Sequence, residues 1–186
     1  MTFGELLHAL RAAADRGADV SAIEDDIEHL AEHAPEASRA DALAHPGDEQ
    51  MRIWALGLIG DSRDRDRIVA ALADPGLRFT ALEALGSQND RDDTDRIART
   101  LLSDPDPRIR SKAAGLVAWL RRPGYVDALL PLTADLDRDV RSVITSRLAL
   151  RADPATAPLL QAMRDDPDDR IRRSVALALD RIARRA

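Results

Sequence analysis

Three segments of the chain, Asp104–Arg110, Asp135–Arg141 and Asp166–Arg172, share one pattern: Asp-x-Asp-x-x-(Ile/Val)-Arg, with 31 residues from each final arginine to the next. A period of this length marks a repeat in which one supersecondary unit stacks on its neighbours, because no single unit can bury its apolar face alone. The feature therefore restricts the fold more than any composition figure does. Two degenerate copies lie upstream, Asp74–Arg78 and Pro46–Arg52, with irregular spacing that implies shortened loops.

Within each copy the Asp/Pro turn is placed to cap the helix that follows, since a carboxylate before a helical run accepts from the first orphan N–H groups. Counting the repeated arginine as position zero, apolar residues return at −1, +3, +4 and +7, which at 100° per residue form one stripe. That stripe predicts a core of Ile109, Ala113, Ala114 and Val117 in one copy and Val140, Ile144 and Leu148 in the next, where Thr145 intrudes. In the last copy it predicts Ile171, Val175, Ala176 and Leu179. Inner helices are expected near 50–60, 77–86, 107–121, 138–150 and 169–184. Outer helices are expected near 64–73, 91–103, 124–134 and 154–165. Aromatic residues are only 3% of the chain while alanine, leucine, aspartate and arginine dominate, which suits thin helices packed by small side chains rather than a sheet.

The Asp/Pro turn followed by Ile-Arg or Val-Arg resembles the HEAT-repeat signature, in the short form found in lyase-type HEAT-like repeats. The resemblance covers residues 46–186, and residues 1–45 share only helical patterning. It implies an all-α fold, a right-handed α-solenoid of about five helical hairpins preceded by N-terminal capping helices, the whole chain 1–186 forming one domain. It also implies that Asp104, Asp135 and Asp166 pair with Arg110, Arg141 and Arg172 in a structural ladder between repeats, because a charge held in a packed interface needs a partner.

The 186 residues contain no apolar run long enough to cross a bilayer, and no basic segment precedes an apolar one near the N-terminus, so a cytoplasmic location is expected. There is no cysteine, which excludes disulfides, thiolate metal sites and thiol nucleophiles. The formal charge of −6 is uneven: residues 1–107 hold 11 basic and 23 acidic groups, residues 108–186 hold 16 and 10. One end repels nucleic acid and the other attracts it.

Positions +1, +2, +5 and +9 lie opposite the core stripe and are expected to line the concave side of the solenoid. Ile53, Trp54, Phe79, Trp119, Val143, Leu150 and Leu177 fall there, including both tryptophans. An apolar patch that faces outward usually marks an interface. The reading is a non-enzymatic scaffold or adaptor that holds another protein through Trp54, Phe79, Glu83, Trp119, Val143, Leu150 and Leu177, with Arg173 and Arg181 orienting the partner by charge. No cofactor is implied, and the oligomeric state stays open, with a monomer the simplest reading.

The alternative is a nucleic-acid binder resembling the HEAT-like DNA glycosylases, gripping phosphates with the basic C-terminal repeats and using Trp54, Trp119 and Glu83 near a base. The acidic N-terminal half departs from that pattern. His29 and His33 match the zinc string H-x-x-E-H, yet no third-ligand motif follows, so no metal site is expected.

Overall fold

The computed structural model describes residues 1–46, 48–88, 90–150 and 153–185. Among these residues twelve α-helices occur and no strand, and none of the helices is long and apolar enough to cross a membrane. They gather into two compact units, residues 1–89 and 90–186. Gly47, part of the degenerate Pro46–Arg52 copy, lies outside the described residues.

The first unit holds α1 (Phe3–Asp15), α2 (Ser21–His33), α3 (Pro35–Ala44), α4 (Glu49–Ile59), α5 (Arg65–Ala71) and α6 (Arg78–Ser87). A capping box starts α1: the Thr2 side chain accepts from the Glu5 N–H, and Glu5 reaches back to the Thr2 N–H. Phe3, Leu6, Leu7, Leu10 and Ala13 then recur on one face and are buried. Asp48 caps α4, and Gly60 ends it at φ 71°, a left-handed conformation that costs glycine nothing. Gly57 has a different task. A Cβ placed there would lie 2.5 Å from both Cα and Cβ of Ala84, so α4 and α6 meet with no room for a side chain.

The second unit holds α7 (Arg91–Thr100), α8 (Pro107–Leu120), α9 (Tyr125–Leu129), α10 (Arg138–Ala149), α11 (Ala157–Ala162) and α12 (Asp169–Ala183). The outer helices expected over 124–134 and 154–165 are divided: α9 continues as a 3₁₀ turn over Leu130–Ala134, and α11 is entered through one over Pro154–Thr156. Pro131 and Pro154 lie in those turns and cannot donate the helical hydrogen bond. The inner helices α8, α10 and α12 stand side by side, α10 packing against both of the others, while α7 backs α8 and α11 backs α12.

The doubled aspartate accounts for the regularity of this unit. The second aspartate of each copy caps its helix: Asp106 accepts from the Arg108 N–H, Asp137 from Asp139 and Asp168 from Arg170. The first aspartate folds the turn before it, accepting from the backbone N–H of Asp106, Asp137 and Asp168 respectively. Its other role is the ladder. Arg110 donates through Nε and Nη2 to Asp135, both at 2.8 Å, and Arg141 donates in the same way to Asp166 at 2.7 and 3.2 Å. Each arginine also caps backbone behind it, Nη1 of Arg110 on the Asp104 carbonyl and Nη1 of Arg141 on that of Asp135. The two-pronged bonds from Arg110 hold the Asp135 carboxyl below the usual aspartate range. Burial, the largest influence, pushes Asp166 up, but the Arg141 bonds, the Asp168 N–H and the Arg141 charge together outweigh it and the net displacement is also downward. An ion pair of the same 25-residue separation, Arg39 to Asp64, occurs in the first unit, where the sequence pattern gave no sign of it.

The stripe at −1, +3, +4 and +7 describes the cores of α8 and α10: Ile109, Ala113, Ala114 and Val117, then Val140, Ile144 and Leu148, are buried. Thr145 is buried too, its hydroxyl donating to the Arg141 carbonyl and so needing no outside partner. In α12 the stripe is wrong at two positions. Ala176 is exposed and Leu179 half-buried, and the buried set is Ile171, Val175, Ala178 and Ile182. Positions +4 and +7 point to the flank that the following helix covers in α8 and α10, and no described helix follows α12. Ile53, expected to face outward, is fully buried, because α4 is flanked by α3, α5 and α6 and has little surface left.

Candidate functional site

The 31-residue period places equivalent residues of α8, α10 and α12 at the same height on three adjacent helices. Four columns result on the side away from the core: Arg108, Asp139 and Arg170; Lys112, Val143 and Ser174; Gly115, Ser146 and Leu177; Trp119, Leu150 and Arg181. Trp119 is 40% exposed, Leu150 74% and Leu177 60%. Large apolar side chains at that exposure, in neighbouring columns, are a surface feature rather than core. Val143 is less available. It is half-buried, and the position of a Cβ on Gly115 lies 3.4 Å from its Cγ2, so it fills the seam between α8 and α10.

Trp119 is held in place rather than loose. The guanidinium carbon of Arg91, at the start of α7, lies 5.0 Å from the centre of the ring system, a cation–π arrangement worth about 0.5–1 kcal/mol at an exposed site. Two residues on, α8 ends at Arg121, which adopts a left-handed φ of 52°. Its guanidinium donates to Asp153 at 2.9 Å and covers the ring of Tyr125 at 5.7 Å. These contacts fix the chain direction just past Trp119. Arg91 escaped the sequence reading because periodicity within one helix does not report a contact made across a hairpin. The antiparallel geometry of α7 and α8 was the signal that could have found it.

The charge on this side of the unit is predominantly positive. Arg147, Arg170, Arg173 and Arg181 are exposed, facing one exposed aspartate of the columns, Asp139. Arg173 pairs with Asp169 at 2.6 Å within α12. Leu136, fully exposed in the loop where the other two copies carry Pro105 and Pro167, stands outside the columns.

The first unit presents its candidates differently. Trp54 on α4 and Phe79 and Glu83 on α6 are all half-buried, and the two helices pack against one another through the Gly57–Ala84 approach. The structure therefore brings Trp54, Phe79 and Glu83 onto one pair of helices. Trp119, Val143, Leu150, Leu177, Arg173 and Arg181 belong to the side-by-side helices of the second unit.

His29 and His33 stack with ring centroids 4.1 Å apart, and the Nδ1 of His33 lies 2.9 Å from the His29 carbonyl oxygen, so one imidazole nitrogen is already engaged by backbone. No group of three or more potential metal ligands gathers among the described residues. His8 and His45 meet edge to face at 5.0 Å, with His45 buried.

The sequence model of the HEAT repeats matches residues 66–149 and, in a second overlapping register, residues 96–180. No curated protein sequence matches the chain.

Proposed function

The chain belongs to the HEAT-repeat family, whose repeats generally serve as protein-interaction scaffolds, and we propose that it is a non-enzymatic adaptor holding a partner protein against the inner helices of its second unit. The observation that supports this most is the alignment of Trp119, Leu150 and Leu177, all exposed, on three helices kept in register by the Asp-Arg ladder. A ladder that fixes the helices also fixes the spacing of the side chains they carry, so the surface is preorganised and little ordering is needed on binding. Its apolar groups are interleaved with arginines, and the segment it fits is amphipathic and acidic. Apolar side chains supply affinity and carboxylates meet Arg170, Arg173 and Arg181 to guide encounter. Trp54, Phe79 and Glu83, half-buried on α4 and α6, are proposed as a secondary contact.

The test compares the chain with a Trp119→Ala, Leu150→Ser variant. Both substitutions lie on exposed positions, so the melting temperature should hold while capture of proteins from the native cell extract falls at least tenfold. Equal capture by both forms removes the proposal. Binding of a labelled DNA duplex that weakens steeply with salt and is lost with Arg170→Ala, Arg173→Ala and Arg181→Ala transfers the face to nucleic acid instead.

A further inference from the structure

The third arginine of the ladder is paired differently from the other two. Arg110 reaches Asp135 and Arg141 reaches Asp166, each 25 residues ahead, and Arg172 repeats the backward half of the motif, donating through Nη1 to the Asp166 carbonyl at 2.6 Å and to that of Pro167 at 3.0 Å. In place of an aspartate from a following hairpin its guanidinium meets Asp169 of its own helix at 3.3 Å. The arginine side chains on the completed rungs are 18% and 9% exposed, and that of Arg172 is 41%. The same flank carries Ala176, Leu179 and Ala183, which together with Arg164 and Asp180 line an open groove along α12. In α8 and α10 the positions matching Ala176 and Leu179 are Ala114 and Val117, then Thr145 and Leu148, all buried by the next repeat. A flank that simply faced water would carry polar residues at these sites.

We propose that this flank of α12 pairs with the same flank of a second copy of the chain, the two helices running antiparallel about a two-fold axis between Ala176 and Leu177. The charges along the helix select this occupant. Residues equidistant from that midpoint are Arg173 with Asp180, and Asp169 with Arg184. An antiparallel pair thus sets Arg173 and Arg184 of each copy beside Asp180 and Asp169 of the other, four pairs in all. Today these groups pair within the helix, Arg173 with Asp169 at 2.6 Å and Arg184 with Asp180 at 2.8 Å. Such exposed i,i+4 pairs hold their partners weakly, and exchange for pairs across the axis keeps Arg173, Asp180, Asp169 and Arg184 matched, while Arg172 keeps its bonds to the Asp166 and Pro167 carbonyls. The small Ala176 at the centre lets the helices approach, and Leu179 of each copy enters the groove of the other. The contact is isologous and closes at two copies.

Sedimentation velocity of the full chain, from micromolar to millimolar concentration, reads the result as mass. The expected outcome is a shift from 20.3 kDa to twice that value, weaker at high salt. Ala176→Glu sets two like charges at the axis and should keep the chain monomeric throughout, with its helical content and melting temperature unchanged. Asp180→Arg should do the same, and adding Arg173→Asp to it should restore the doubled mass. A single-chain mass at every concentration overturns the proposal, as does a dimer indifferent to Ala176→Glu. A mass that keeps rising past two chains also overturns it, because a head-to-tail contact does not close.

Discussion

Residues 1–89 and 90–186 are both stacks of short helices, yet they differ in how strictly the repeat is kept. The second unit holds a 31-residue period through three copies and two completed Arg-Asp rungs, and carries 19 basic against 16 acidic groups. The first has irregular spacing, a 25-residue ion pair between Arg39 and Asp64 that lies outside the repeat pattern, all four histidines, and 8 basic against 17 acidic groups. Where the period is strict, equivalent positions line up and the apolar residues that the core does not need emerge in columns: Trp119, Leu150, Leu177. Where it is irregular, the large residues Trp54 and Phe79 are half-buried and Ile53 is lost to the interior. Regularity thus decides whether a helix face becomes a usable surface, and each of the following measurements strains that contrast.

The largest effect is expected from Arg141→Ala. Its side chain is 9% exposed and that of Asp166 2%, so removal leaves a buried carboxylate without its cation and the Asp135 carbonyl without its donor. Truncating one member of a buried pair costs about 3–5 kcal/mol; the loss should appear as a lower urea midpoint. Hydrogen exchange should locate it chiefly in residues 138–183. The double variant Arg141→Met, Asp166→Leu should recover much of the loss, since two apolar groups leave no charge stranded. Equal loss of protection in residues 1–89 would break the contrast, by showing that the ladder's influence is not local to the regular unit.

Next comes a matched pair of glycine substitutions. Gly57→Ala places a methyl 2.5 Å from Ala84 backbone and side chain, an overpacking that costs about 1–3 kcal/mol because α4 and α6 must separate. Gly115→Ala on α8 meets the nearest atom, Val143 Cγ2, at 3.4 Å, which is ordinary contact, and it gains up to about 1 kcal/mol of helix propensity. The first substitution should lower the melting temperature and the second leave it level or raise it. Opposite signs sharpen the contrast: the irregular unit relies on a close backbone approach and the regular one leaves room. Two losses of similar size would erase it.

Much of the fold is written in the chain because each device is local. An aspartate before Pro107 or Arg138 caps whatever helix follows, and −1, +3, +4 and +7 stripes are properties of one helix, so α8, α10 and α12 could be placed from the repeat alone. Arg39–Asp64 was hidden because Arg39 follows Ser38 rather than an isoleucine or valine, and the Asp64-Arg65-Asp66 doublet runs into Val69-Ala70, with no arginine to close the pattern. The surface was less legible for a related reason. Exposure of Ile53, Val143 or Ala176 depends on which neighbour covers a given flank, and that is a property of the stack, absent from any one helix. Ala176 fits the pattern of Ala114 and Thr145 in sequence and differs only in what lies beside it.

The smallest expected effect separates the units by acid. Burial first, and then the nearby charge of His8, depress the His45 pKa below its ordinary 6.5; Asp48 pulls it back up and Arg52 adds to the depression. A base with a lowered folded pKa is stabilising in its neutral form, so its contribution is complete above the unfolded pKa and is lost as pH falls from there through the folded value. Stability of residues 1–89 should therefore decline as pH drops below about 6.5. Residues 90–186 contain no histidine. Their paired carboxylates, Asp135 and Asp166, have lowered pKa values, and a lowered acid keeps its contribution above the unfolded pKa and loses it only as pH falls below about 4. Hydrogen exchange at pH 7.5 and pH 5, corrected for intrinsic rates, should show protection weakening around α1, α3 and α4 while α8, α10 and α12 hold. His45→Gln, which cannot titrate, should flatten the difference. If the weakening survives that substitution, His45 is not its source.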